Sequence, residues 1–126
     1  MIKKFLHTRF RVNNMEEHIL FFCDILGLKL LSRNKSPRGS ELVFLQVPGS
    51  EEEIELCYFP ESGPVKVQED LVHLAFEVDD LTSFARYLSS KGVLLTDGPT
   101  RSSHGGMFAF IDAPDHYEIE LIQKEK

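Results

Sequence analysis

Long hydrophobic runs are missing from this chain. No apolar stretch approaches the roughly 20 residues needed to span a bilayer, so a membrane-embedded protein is not expected. Cysteine is scarce. Cys23 and Cys57 form no CxxC pair and no disulfide framework, and two reduced thiols in a cytoplasmic protein are the expectation. Positive charge is in deficit: 14 Lys and Arg against 20 Asp and Glu leave a net charge of −6. Nucleic acid and anionic membranes are therefore disfavoured as partners. The opening Met1-Ile2-Lys3-Lys4-Phe5 is basic, but no apolar h-region follows, and no secretory signal is expected. What remains is ordinary for a globular chain, 42% hydrophobic and 27% charged. Its 126 residues fit one domain with a real core.

Leu71 to Val78 reads as a strand, apolar and β-branched with no Gly or Pro. Side chains alternate, so Val72, Leu74, Phe76 and Val78 share an apolar face that wants a helix over it. His73, Ala75 and Glu77 share the other. The stretch Leu6 to Val12 echoes this, again with a histidine five residues before a valine. With His7 placed under His73, the echo continues. Asn13 or Asn14, and Asp79 or Asp80, are candidate helix N-caps, and Gly27 and Gly92 candidate helix stops. Gly27 to Leu31 and Gly92 to Leu95 then start the next strands, one residue out of step. Leu42 to Val47 and Gly106 to Ile111 read as further strands, each followed by a Pro-containing turn. Each turn leads into a last strand with the same tripeptide, Ile54-Glu55-Leu56 and Ile119-Glu120-Leu121.

The expected fold is α+β: two tandem βαβββ modules, about 1–60 and 66–126, joined by a turn-rich linker over 60–65. Together they form one domain, a curved mixed sheet around a concave face. Ser32 to Ser40 and Thr100 to Gly106 are expected as loops, and Gln123 to Lys126 as a solvated tail. His18 is expected on the surface of the first helix. His104 and His116 are expected in loops.

On the last strands Ile54, Leu56 and Tyr58 share one face, as do Tyr117, Ile119 and Leu121. Glu55 and Glu120 point the other way. The four repeat-related residues are His7, Glu55, His73 and Glu120. Taken singly, a strand histidine is usually hydrogen-bonded or half-exposed, and a strand glutamate solvated. Joint recurrence in both halves is what points to a metal site. Two imidazoles and two carboxylates suit Zn, Ni, Co, Mn or Fe(II), and not Ca or an iron–sulfur cluster. Arg9 and Arg11 share the face of His7. They are candidates for an anionic substrate's carboxylate, or for a salt bridge to Glu77 or another acid.

These residues carry a resemblance that covers nearly the whole chain. Leu6-His7-Thr8 with Arg11-Val12, Phe21-Phe22 before Leu26 to Leu31, Ile54-Glu55-Leu56, Val72 to Phe76, and Ala113-Pro114-Asp115 through Leu121 resemble the vicinal oxygen chelate superfamily of glyoxalases, bleomycin-resistance proteins and dioxygenases. Within it the chain looks most like the glyoxalase I group. The resemblance implies one divalent metal per site, held by His7, Glu55, His73 and Glu120, with Ni or Co favoured over Zn. It implies homodimers whose sites are shared between chains. It implies a lyase that converts the hemithioacetal of methylglyoxal and a thiol to a 2-hydroxyacyl thioester through a metal-bound enediolate. Glu120 would be the base, Glu55 the second candidate, and Arg11 the residue for a glutathione carboxylate. The chain departs from the group at Phe59, where an Asn is usual. It departs again over Arg101 to Gly106, where a Lys-Gly-Gly loop is usual, and at Ala113-Pro114-Asp115-His116, where Asp-Pro-Asp-Gly is usual. The metal set is intact; the pattern that recognises glutathione is not.

Two rivals follow from the same resemblance. An epimerase, a thiol transferase of the fosfomycin-resistance kind or a dioxygenase usually has three ligands or replaces the first glutamate, which Glu55 argues against. A metal-free binding protein of the bleomycin-resistance type generally loses the ligands, and all four are kept here.

Overall fold

The structure is a computed structural model that describes residues 1–125. The chain divides into two compact units, Met1–Lys66 and Val67–Lys126. Each is built as strand, helix, then three strands, giving an α+β fold of two βαβββ modules.

The first unit runs β1 (His7–Val12), α1 (Met15–Ile19), a π-helical turn (Leu20–Ile25), β2 (Lys29–Lys35), β3 (Glu41–Gln46) and β4 (Glu53–Tyr58). Its sheet has the order β1-β4-β3-β2. β1 and β4 are parallel, and the other two pairings are antiparallel. Alternate residues of β3 and β4, with the inward side of the helix, make the core: Val43, Leu45, Ile54 and Leu56 pack with Val12, Met15, Phe21 and Phe22. Each such side chain contributes about 1.5–3 kcal/mol when fully buried.

The second unit repeats the plan. It runs β5 (His73–Glu77), α2 (Leu81–Ser90), β6 (Asp97–Arg101), β7 (Met107–Asp112) and β8 (Glu118–Gln123). The order β5-β8-β7-β6 matches the first sheet strand for strand. Leu81, Leu88, Ala109, Ile111, Ile119 and Leu121 are its core.

The caps settle which of the paired candidates act. Asn14 Oδ1 accepts from Glu17 N–H at 3.0 Å, and Asp80 Oδ1 from Ser83 N–H at 2.9 Å. That hydrogen bond holds the Asp80 carboxyl below its usual range. Gly27 and Gly92 stop the helices at φ of +84° and +82°, where a side chain would be strained. After α2 the N–H groups of Gly92 and Val93 return to the carbonyls of Ser89 and Leu88, a Schellman closure. In the first unit the path from Asn14 to Gly27 is one residue longer than that from Asp80 to Gly92. The π-helical turn takes up that extra residue, and Leu28 N–H reaches Phe22 O, six residues back. This is why the repeat falls out of step at the glycines.

Five expectations need correction. Ser32 to Lys35 are not loop: they extend β2 by pairing Arg33, Asn34 and Lys35 with Val43, Leu42 and Glu41. Their polarity is that of an edge strand, not of a turn. Thr100 and Arg101 likewise pair with Phe108 and Met107 in β6, which starts at Asp97 and leaves Gly92 to Leu95 outside any strand. Gln123 is not tail: it ends β8, and its Oε1 accepts from Leu81 N–H at 2.7 Å. Lys126, the end of the expected tail, lies outside the described residues. His18 is fully buried, with its ring stacked 6.2 Å from Phe22. It falls between Met15 and Phe22 at helical spacing, so its face is the core face.

Candidate functional site

Strand register decides what meets on the face away from each core. In the first unit the parallel pairing sets His7 beside Glu53, Arg9 beside Glu55 and Arg11 beside Cys57. The antiparallel pairing sets Phe44 beside Glu55. In the second unit His73 lies beside Glu118, Ala75 beside Glu120, and Phe110 beside Glu120. The two faces are thus the same construction, with Arg9 replaced by Ala75.

The histidines and glutamates come together within each unit. His73 Nε2 lies 3.2 Å from Glu120 Oε1, and His7 Nε2 lies 3.9 Å from Glu55 Oε1. The first distance is at the limit of a hydrogen bond and the second beyond it. A phenylalanine ring packs on each imidazole at an interplanar angle of 86°. Phe44 does so on His7 at 5.3 Å between centroids, and Phe110 on His73 at 5.6 Å. From sequence, these two residues are placed on strands and given no role. The signal was available, because they recur with the same separation as the two histidines.

The glutamates differ in surroundings. Glu55 is buried, at 4% exposure, and is not on a solvated face. Its Oε1 accepts from Arg9 Nε at 2.5 Å. That hydrogen bond pushes the Arg9 guanidinium further above its ordinary value, against an opposing cost of burial. Arg9 therefore pairs with Glu55, not with Glu77, whose partner is Lys124 at 3.6 Å. Arg11 Nη1 donates to the carbonyl of Gly63 at 2.6 Å. A cavity of about 460 Å³ in this unit is lined by Arg9, Arg11 and Arg38, with Ser36, Ser40 and Phe59.

In the second unit the Glu120 side chain is 19% exposed, and no residue stands at the place of Arg9 except Ala75. One cavity of about 640 Å³ carries His73, Phe110, Asp97, Asp112, His116 and Glu118. Another of about 420 Å³ reaches Glu120 past Met107, Phe108 and Ile122, with His104 at its edge. His116 Nδ1 lies 3.3 Å from Asp112 Oδ2. The first unit thus offers cations around its pair, and the second offers carboxylates and aromatic rings.

Each unit brings one imidazole nitrogen and one carboxylate oxygen near each other. Among the described residues no group of three or more His, Cys, Asp and Glu is gathered as if around an ion. Each pair offers one nitrogen and one oxygen donor. Its nitrogen and oxygen chemistry fits a borderline divalent metal. Cys23 and Cys57 are free thiols on the first unit, and burial pushes the Cys23 thiol up.

Comparison with known proteins agrees with this fold. The sequence profile of the Glyoxalase/Bleomycin resistance protein/Dioxygenase superfamily matches residues 4–121. A probable lactoylglutathione lyase of Synechocystis is 34% identical over 122 residues, covering 94% of this chain and 93% of that one. The solved trypanothione-dependent glyoxalase I of Leishmania major is 28% identical with a TM-score of 0.79, over 98% of this chain and 88% of that one. TnmS3, an antibiotic binding protein from Streptomyces, has the same fold at a TM-score of 0.81 and 24% identity, over 98% of both chains. With the profile spanning all eight strands but the end of the last, this chain belongs to the glyoxalase/bleomycin resistance protein/dioxygenase superfamily.

Proposed function

We propose that the protein is a metal-dependent lyase of the glyoxalase I type. It would convert the hemithioacetal of an α-ketoaldehyde such as methylglyoxal and a thiol into a 2-hydroxyacyl thioester. The observation that supports this most is the repeated His–Glu pair, with its phenylalanine, on corresponding strands of both units. One divalent ion, Ni or Co ahead of Zn or Mn, would be held by His7, Glu55, His73 and Glu120. When bound it supplies Lewis acidity to two neighbouring oxygens of the substrate.

The chain's own residues do the rest. Glu120 takes the proton from the carbon that bears sulfur and returns it to the neighbouring carbon. The first carbon ends as the thioester carbonyl and the second as the alcohol, so the isomerisation needs no outside oxidant. Glu120 is preferred over Glu55 because Ala75, and not a guanidinium, faces it. Glu55 is the second candidate. Arg11 and Arg9 receive the carboxylate of the thiol moiety. Phe59, in the same cavity, offers that moiety an apolar contact.

The reading includes one two-module domain, a cytoplasmic homodimer, and sites that take a pair from each of two chains. Names of relatives such as lactoylglutathione lyase support the reaction class. The family also holds binding proteins, and the fold alone does not separate them. The retained ligand pairs favour the enzyme. Two measurements test this. Metal analysis should find about one divalent ion per site, lost in Glu55→Gln and His73→Ala; unchanged content rejects the ligand set. Turnover of methylglyoxal with several thiols under several metals should reveal one productive combination; no turnover with any of them rejects the lyase.

A further inference from the structure

The two His–Glu pairs differ in one residue, and that difference has a consequence for metal uptake. Arg9 Nε and His7 Nε2 converge on the same atom, Glu55 Oε1, from 2.5 and 3.9 Å. Oε1 is the Glu55 oxygen that approaches His7 Nε2, so an ion held between His7 and Glu55 would meet that oxygen first, at about 2.0–2.2 Å. It would then lie within a few ångströms of the guanidinium, cation against cation, at a carboxylate that is 4% exposed. The pairing is not needed to hold the ligands in place. His73 and Glu120 approach to 3.2 Å, closer than the first pair, with Ala75 where Arg9 would be. The same strand register and the same phenylalanine packing suffice there.

From this we infer that Arg9 is a built-in competitor for the metal at Glu55. It neutralises the buried carboxylate while the site lacks an ion, and must swing away for His7 and Glu55 to bind one. The Arg9 side chain is 56% exposed, so it has room to leave without unpacking the core. Once displaced from Glu55 it stays beside the cavity that it already lines with Arg11 and Arg38, where an anionic substrate can take it. Metal binding and anion binding are thereby coupled through one side chain. This rests on the metal-dependent reading above.

The test uses the full chain stripped of metal by chelation, as wild type, Arg9→Ala and Arg9→Gln. The glutamine variant keeps a hydrogen-bond donor and removes the charge. Ni²⁺ is titrated into each by calorimetry, and thermal unfolding is followed with and without Ni²⁺. If the pair is closed about nine-tenths of the time, removing it should tighten Ni²⁺ binding about tenfold. The metal-free variants should melt below wild type, Arg9→Ala the lower. Their rise in melting temperature on adding Ni²⁺ should exceed that of wild type. Unchanged or weaker Ni²⁺ binding in the variants overturns the inference and makes Arg9 a support of the ligand. If Arg9→Ala does not fold, Arg9→Gln decides alone. Absence of Ni²⁺ binding in all three rejects both the metal reading and the inference. Binding by the variants but not by wild type upholds the inference in its strongest form.

Discussion

Glu120 and Glu55 occupy equivalent strand positions, yet their neighbours differ. Glu120 faces Ala75 and a cavity carrying Phe108 and Ile122, whereas Glu55 is held by Arg9. Changing Glu120 to Gln keeps the shape and removes the base of the proposed mechanism. Turnover should fall about 10²–10⁴-fold, with a much smaller effect on substrate binding. The variant's metal content must be measured in the same preparation; full metal content with wild-type turnover would move the base to Glu55. The phenylalanines make a second residue-scale claim. Phe44 and Phe110 pack edge-on against His7 and His73 without contributing a donor. Outer partners of metal ligands are typically worth 10–100-fold in affinity. Phe110→Ala should accordingly weaken Ni²⁺ binding by about that factor while all four ligands remain. An unchanged dissociation constant would return Phe110 to plain packing.

At the scale of elements, the two helices show how one plan tolerates an inserted residue. Both begin on a capping side chain and end on a glycine at positive φ. The first helix widens to a π-helical turn between those fixed ends. It does so because Phe21 and Phe22 are buried, and rotating the helix to restore α geometry would pull them out. The caps themselves are ordinary stabilising devices. Asn14→Ala should lower unfolding free energy by about 1 kcal/mol, read from denaturant midpoints. Asp80 adds a pH dependence whose sign is set by its depressed carboxyl. Its contribution is fully present above the unfolded carboxyl value and fades as the pH falls through the folded one. Asp80→Asn should flatten the acid limb of the stability curve, and an unchanged limb would show that the cap does not act through charge.

At the scale of the whole molecule, the proposed metal site needs two His–Glu pairs. Each unit contributes one His and one Glu, and the shared-site proposal takes them from different chains. Mixing two inactive variants decides it. In a mixed dimer of His7→Ala and His73→Ala, one site collects both lesions and the other collects none. Shared sites therefore predict that activity returns when the two are unfolded and refolded together. Sites within one chain predict that it does not. The dimer should also appear at about twice the chain mass by sedimentation, and a fully active monomer would refute it. No helix among the described residues is long and apolar enough to cross a membrane.

Much of this architecture is legible in the residues alone. The alternation in Ile54-Glu55-Leu56 and Ile119-Glu120-Leu121, and the histidines that precede them, are local patterns. Strand period converts them directly into faces. The caps and glycine stops are local too, because each side chain bonds within a turn of itself. Only tertiary structure decided what depends on neighbours far along the chain. That Ser32 to Lys35 are strand follows from pairing with Glu41 to Phe44, not from their polar composition. That His18 is core follows from which side of the helix meets the sheet. That Glu55 is buried against Arg9 while Glu120 faces Ala75 follows from the parallel register of β1 with β4 and of β5 with β8. Sequence pattern sets the direction in which a side chain points; register sets what it meets there.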